Sequence, residues 1–228
     1  MRLIRTTPEV DKTNLLNMLN VKYVVSALAI TSPNYELVYS HKPIPQDPKE
    51  REEFEKSSIL KIYENKTSLA HAFLVPQCKV LNSEREYKEI LEKKEFNPEQ
   101  MVLLDAEPKT FSCGEKTEPK GKGSVKINSY QSNTIDISVN LPSRQFLFLS
   151  DSYYPGWKAY VDGREREILR ANFLFRAINI EPGEHQVRFS YEPLSFKIGL
   201  TISLTTLLLC GAYCFRSSIR RLFPTTQS

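Results

Sequence analysis

Along the second half of the chain, apolar and polar residues alternate with a period of two. Val125 and Ile127 alternate with Lys126 and Asn128; Ile135, Ile137 and Val139 with Asp136, Ser138 and Asn140; Val187, Phe189 and Tyr191 with Gln186, Arg188 and Ser190. Successive side chains of an extended strand point to opposite faces, so each stretch predicts a strand with one covered face. Phe146–Leu149 and Phe173–Phe175 are continuously apolar and predict central strands. Asp162-Gly163 suits a tight hairpin turn, and Pro182-Gly183 a turn with glycine at positive φ. About seven short strands in about seventy residues, with no helical period among them, predict a small antiparallel β-sandwich over 124–193.

The first half mixes periods. Leu15, Leu16, Met18 and Leu19 predict a short amphipathic helix from Asp11 to Asn20, and Val21–Val25, Tyr35–Tyr39, Ile59–Tyr63, Ala72–Val75 and Met101–Leu104 predict strands. Ser83-Glu-Arg-Glu86 has the form of a capping box. Tyr87, Ile90 and Leu91 behind it share one helix face, so a helix is expected over Ser83–Glu95. Residues 42–56, rich in proline and mixed charge, read as an exposed loop or a short solvated helix. Residues 105–123 are poor in apolar side chains and carry prolines, glycines and alternating charge. The expected organisation is therefore α+β: a mixed α/β subdomain over 1–104, a linker over 105–123, and the antiparallel β-sandwich.

A third pattern follows the last strand. From Ile198 to Phe215 there is no charged residue, a run of 18 that as a helix spans about 27 Å, near the hydrocarbon thickness. Phe196 and Lys197 flank one end; Tyr213, Arg216, Arg220 and Arg221 mark the other. This predicts a transmembrane helix over 196–216, with the lipid bilayer as its partner. The trailing arginines, without a nearby acid, place residues 217–228 in the cytoplasm and the bulk of the chain outside. The first residues, Met1-Arg-Leu-Ile-Arg5, lack the apolar run of an export signal. The reading this favours is the end of a longer polytopic protein, whose remaining membrane helices are the second expected partner.

Composition narrows the chemistry. The net charge of +4 over 228 residues is small. The basic residues are interleaved with acids, as in Lys49-Glu-Arg-Glu-Glu53 and Arg164-Glu-Arg-Glu167, which describes solvated faces and no nucleic-acid partner. Cys210 and Cys214 lie inside the apolar run, whereas Cys78 and Cys113 can pair if they face an oxidising compartment. His41, His71 and His185 are far apart and no Cys-x-x-Cys occurs, so neither a metal nor a cofactor is expected. Asn65-Lys-Thr67 matches the N-glycosylation triplet.

Tyr153, Tyr154, Trp157 and Tyr160 form an aromatic cluster around Pro155-Gly156 that could stack on sugar rings. Trp157, in alternation with Ala159 and Val161, reads more simply as a core plug braced by Tyr153 and Tyr154. Tyr160, on the opposite strand face, is the better exposed aromatic. Asp151 and Asp162 would be a carboxylate pair for acid–base work, or, more simply, turn residues.

Several of these stretches, in order, resemble the C-terminal part of the bacterial YfhO-like membrane proteins. They are Leu15-Leu-Asn-Met-Leu-Asn-Val-Lys-Tyr-Val-Val25, Ile62-Tyr-Glu-Asn65, Ala72-Phe-Leu-Val75 and, above all, Ser150-Asp-Ser-Tyr-Tyr-Pro-Gly-Trp157 with Asp162-Gly163. Arg170-Ala-Asn172, Phe175-Arg-Ala177 and Tyr191-Glu-Pro-Leu-Ser-Phe196 complete the set. Ala70-His71 departs from the Pro-Arg that the family usually shows. The resemblance implies a multi-spanning glycosyltransferase of the GT-C type that uses lipid-linked sugars. It also implies a place in cell-envelope glycan or teichoic-acid decoration, with a polyprenyl-phosphate sugar or envelope glycan as ligand. The family's catalytic acid is expected in an early loop between membrane helices that these residues do not include, so no catalytic residue is assigned. Glycan contacts are expected from Tyr153, Tyr154, Tyr160 and Arg176 at the rim of the β domain. The alternative is a membrane-anchored carbohydrate-binding or purely structural domain.

Overall fold

A computed structural model describes residues 14–57, 59–109, 112–113, 121 and 123–222, the side chains of 214–222 excepted. The chain begins with α1 (Leu15–Met18), β1 (Tyr23–Ser26), β2 (Tyr35–Ser40), α2 (Pro48–Lys56) and β3 (Lys61–Asn65). The three strands form an antiparallel sheet in the order β1-β3-β2 over a small core of Ile30, Tyr35, Leu37 and Tyr63. No α2 residue is buried. This helix forms through its ends and flanks: Asp47 Oδ1 accepts from the amides of Lys49 and Glu50, Pro48 occupies the first turn, and Arg51–Glu55 and Glu52–Lys56 pair one turn apart. The glycosylation triplet is committed internally: Asn65 is buried, and its Nδ2 donates to Asn17 Oδ1 and to the Val21 carbonyl.

There follow β4 (Ala72–Val75), β5 (Gln77–Val80), α3 (Glu84–Leu91), β6 (Met101–Leu104), β7 (Ser124–Tyr130), β8 (Thr134–Leu141) and β9 (Gln145–Ser152). After these come β10 (Trp157–Val161), β11 (Arg164–Arg166), β12 (Leu169–Ala171), β13 (Phe175–Ile180) and β14 (Gly183–Tyr191). One antiparallel sheet has the order β11-β10-β14-β8-β7. A six-stranded sheet has the order β4-β9-β13-β12-β6-β5, with β5 and β6 parallel. Ile137, Val187 and Phe189 of the first sheet share one apolar cluster with Leu147, Leu149, Ile178 and Ile180 of the second. On the other side of the six-stranded sheet, Phe146, Phe148, Phe175 and Val102 pack against Tyr87 and Leu91 of α3. Strand β9 is continuously apolar because both of its faces are covered.

The segment 105–123 does not divide the chain into two sheets. Strands β4, β5 and β6, which precede it, complete the sheet that holds β9, β12 and β13. Ala72–Val75 and Val102–Leu104 are apolar on both faces, and they find the second covering layer only against later strands. A disulfide between Cys78 and Cys113, with 5.0 Å between their Cα atoms, ties the segment to β5. The expected strand at Phe173–Phe175 begins only at Phe175: Asn172 and Phe173 have φ of 46° and 71° and make the turn from β12. The Asn172 side chain holds that turn, accepting from Leu103 N at 2.8 Å.

The chain ends in α4 (Leu194–Leu222). Its stretch Leu194–Tyr213 is long and apolar enough to cross a membrane, and none of that stretch is covered by the other described residues. Thr201, Thr205 and Thr206 each donate to the carbonyl one turn back, at 2.8–2.9 Å. Their hydroxyls therefore need no water.

Candidate functional site

Both sheets end together where α4 leaves. Tyr191, the last residue of β14, faces Trp157 at the start of β10, and Ser190 faces Thr134 of β8. In the other sheet the same end carries Ser152 opposite Phe175, and Ala72 opposite Leu149. Between the Leu149–Arg176 and Ser152–Phe175 pairings the register shifts, leaving Ser150 and Asp151 as a bulge in β9. Bulges re-aim side chains. Here Ser150 Oγ donates to the Met18 carbonyl at 2.7 Å, and Asp151 reaches into a polar cluster between the sheets.

Arg176 is the centre of that cluster and is 2% exposed. Its Nη2 lies 2.8 Å from Asp151 Oδ2, an ion-pair contact without good hydrogen-bond alignment, and among the described residues its Nε and Nη1 have no hydrogen-bond partner. The guanidinium lies 4.1 Å from the centre of the Trp157 ring and 5.6 Å from that of Phe189. Tyr130 donates to Asp151 Oδ1 at 2.9 Å, and His71 Nε2 stands 3.2 Å from the same oxygen. Burial pushes the Asp151 carboxyl up, but His71, Tyr130 and Arg176 together outweigh it and hold it below the usual carboxylate range. The Tyr130 hydroxyl is pushed up, by burial first and by Asp151 second.

The expected sugar contacts separate. Tyr153 and Tyr154 are exposed and share a shallow recess of about 210 Å³ with Trp157. Tyr160 lies elsewhere, in an open groove of about 660 Å³ on the outer face of the five-stranded sheet, with Thr134, Asp136, Gln186, Arg188 and Glu192. Its hydroxyl donates to Glu192 Oε1 at 3.3 Å, and Asp136 and Arg188 pair across the groove at 2.6 Å. Arg176, expected at the rim, is instead inside, where only protein groups reach it. Trp157 is half-buried rather than a full core plug: its ring carries the Arg176 guanidinium and packs at a tilt against Tyr191, with 5.4 Å between ring centres.

The two carboxylates weighed as an acid–base pair are not brought together. Asp162 lies at the far end of β10 from Trp157, in the turn before Gly163 (φ 51° and 77°). It accepts from Gln186 N and contacts His185 Nδ1 at 2.6 Å, and the His185 contact is the main cause of its lowered carboxyl pKa. Asp151 is not a turn former but the counter-ion of Arg176. Among the described residues no group of three or more His, Cys, Asp or Glu side chains is arranged to hold a metal. His71, Tyr130, Asp151 and Arg176 come from four separate stretches with no local spacing in common. The one available signal was parity: Arg176 shares a strand face with Ile178 and Ile180, which points it inward.

Two packed sheets that pass into an exposed apolar helix define a mostly β, membrane-associated protein with an end cluster of polar and aromatic groups. The sequence model of the family described as bacterial membrane protein YfhO matches residues 89–203, just over half of the chain, and the chain belongs to that family. It is 31% identical over 91 residues to the uncharacterized protein YfhO of Bacillus subtilis (strain 168), a match covering 40% of this chain and 10% of that protein. The chain thus spans about a tenth of the length of that relative. No solved structure matches.

Proposed function

We propose that this chain is the non-catalytic extracytoplasmic C-terminal domain and last membrane helix of a YfhO-family glycosyltransferase. Its parent would move sugar from a lipid-linked donor in cell-envelope glycan or teichoic-acid decoration. The two sheets are read as a β-sandwich, and α4 as the membrane span. The observation that carries the reading is the junction: β14 ends at Tyr191 and α4 begins at Leu194, so the domain is fixed to the helix without a linker. Such a domain can cover a membrane groove but cannot travel from it. The Cys78–Cys113 disulfide supports an oxidising side for the domain, and Arg216, Arg220 and Arg221 support a cytoplasmic tail.

Sugar transfer needs a carboxylate free to take a proton from the acceptor hydroxyl. Asp151 is engaged by Arg176 and Asp162 by His185 and Gln186 N, so neither is free for that work. The Tyr160 groove favours a supporting role in acceptor binding. A phenol ring, the Asp136–Arg188 pair and Glu192 offer stacking and hydrogen-bonding groups for a polyhydroxylated ligand.

The test is purified full chain in detergent, given polyprenyl-phosphate sugars and envelope acceptors. No turnover is expected, and soluble envelope oligosaccharides should bind with an affinity that Tyr160→Ala weakens. Turnover that Asp162→Ala abolishes in a folded protein would make this chain a catalytic unit.

A further inference from the structure

We infer that the end of the β domain from which α4 leaves is itself seated in the lipid headgroup layer, through a rim of three aromatic side chains, Tyr153, Tyr154 and Phe173, with Leu174. The inference rests on the reading of α4 as a membrane span. If α4 spans, its charge-free run begins after Lys197, four residues beyond Pro193. Four helical residues rise about 6 Å. The headgroup layer is itself about 5–7 Å thick on each side. The ends of both sheets therefore cannot stand clear of it.

What stands at that end fits such a position. Tyr153, Tyr154 and Leu174 are 42%, 61% and 45% exposed, and Phe173 is 37% exposed. They form one rim: Tyr153 N donates to the Leu174 carbonyl at 2.7 Å, and the Tyr154 and Tyr191 rings lie 6.5 Å apart, beside the start of α4. Isolated exposed apolar residues are ordinary, but a contiguous aromatic rim continuous with a membrane helix is not. Tyrosine and tryptophan favour the membrane–water boundary because one end of the ring system is apolar and the other is polar. Phe173 projects from a backbone at φ 71°, a conformation that bulky residues rarely adopt. The Arg170 guanidinium lies 4.6 Å from its ring, where it can reach phosphate while its stem stays on apolar surface. The partner is thus a phospholipid surface, and Tyr153 and Tyr154 serve it rather than a glycan.

The test uses the full chain in vesicles of phosphatidylcholine and phosphatidylglycerol. In a Cys210→Ser, Cys214→Ser background, Tyr154→Cys and, separately, Phe173→Cys carry a fluorophore, with Glu184→Cys at the far end of β14 as the control. Lipids bearing a nitroxide near the headgroup should quench the first two labels several-fold more than the third. A label on native Cys210, with Cys214→Ser, reports insertion of α4 through deep-chain nitroxides. If Cys210 is quenched while both rim labels match the control, the seating is wrong and the span stands. If Cys210 is not quenched, the span fails and the seating with it. Rim labels that are shifted to the blue yet unquenched would place the rim against other parts of the chain or a second copy of it and overturn the proposal. Tyr154 is the more exposed of the two rim sites, so its label remains decisive if Phe173→Cys disturbs the turn.

Discussion

Asp151 is the side chain whose loss should be felt most. It is the acid facing Arg176, a cation that is 2% exposed, lies on the ring of Trp157 and has two nitrogens without a hydrogen-bond partner among the described residues. Asp151→Asn keeps the volume and leaves an acceptor for Tyr130, but it strands the buried charge. Breaking one side of a buried pair costs about 3–5 kcal/mol. For a domain of this size each kcal/mol moves the melting temperature by about 2–4 °C, so a fall of about 6–20 °C is expected. The readout is Trp157 fluorescence on heating the full chain in detergent; it is the chain's single tryptophan and lies 4.1 Å from the guanidinium. Asp151→Asn with Arg176→Met removes both charges and should recover most of the loss, because an apolar replacement of a buried pair is often neutral or better. The pH dependence has a defined sign. The folded Asp151 carboxyl lies below its ordinary value, so its contribution is complete above about pH 4 and is lost as the pH falls through the folded value. Wild type should therefore lose stability below that point more steeply than Asp151→Asn. A single mutant that melts within about 2 °C of wild type, or a double mutant no better than the single, would show that Arg176 does not depend on its counter-ion.

The disulfide closes a 35-residue separation, which by loop entropy stabilises the fold by about 4 kcal/mol. Cys78→Ser with Cys113→Ser should lower the melting temperature accordingly, and four titratable thiols in the unfolded, unreduced protein instead of two would mean that the bridge does not form. Gly156 has φ of 100°, and a Cβ there would come within 3.0 Å of the Tyr191 ring and 3.2 Å of Pro193 Cα. Gly156→Ala should cost about 1–3 kcal/mol, and an unchanged melting temperature would show that the loop yields without disturbing the helix exit.

Elements with one wet face were legible in the sequence because alternation has only one explanation there. The strands at Ile135–Val139 and Val187–Tyr191 lie where the pattern puts them. Ser83 caps α3 as its motif predicts, its Oγ accepting from Glu86 N at 3.3 Å, while the Glu86 carboxylate accepts from the Ser83 hydroxyl at 2.9 Å. The partnership of Ala72–Val75 and Met101–Leu104 with β9 and β12 was not legible, since a strand apolar on both faces carries no sign of which sheet will cover it. Parity alone gives the direction of Trp157 and not the cation that shares its ring. His71 was visible only as a departure from the Pro-Arg usual in the family. In the fold that position faces Asp151, with His71 Nε2 3.2 Å from Oδ1.

The same ambiguity explains why a costly buried pair stands at this place. Over Phe146–Leu149 and Ala177–Ile178, strands β9 and β13 bury apolar side chains on both faces, so within that stretch hydrophobic alternation sets their register only weakly. Arg176 removes the degeneracy. In the observed register it meets Asp151 across the bulge. A slip by one residue would turn it toward Phe148 and α3, a layer whose cluster is built of apolar side chains. An unpaired charge there would cost more than any apolar mismatch. The register it fixes also fixes the start of the loop Tyr153–Gly156. The end of that loop is set by the 2.6 Å hydrogen bond from Glu192 N to the Gly156 carbonyl, one residue before Pro193. The pair thus selects among alignments more than it attracts, and the observed alignment is the one that delivers Gly156 to the base of α4.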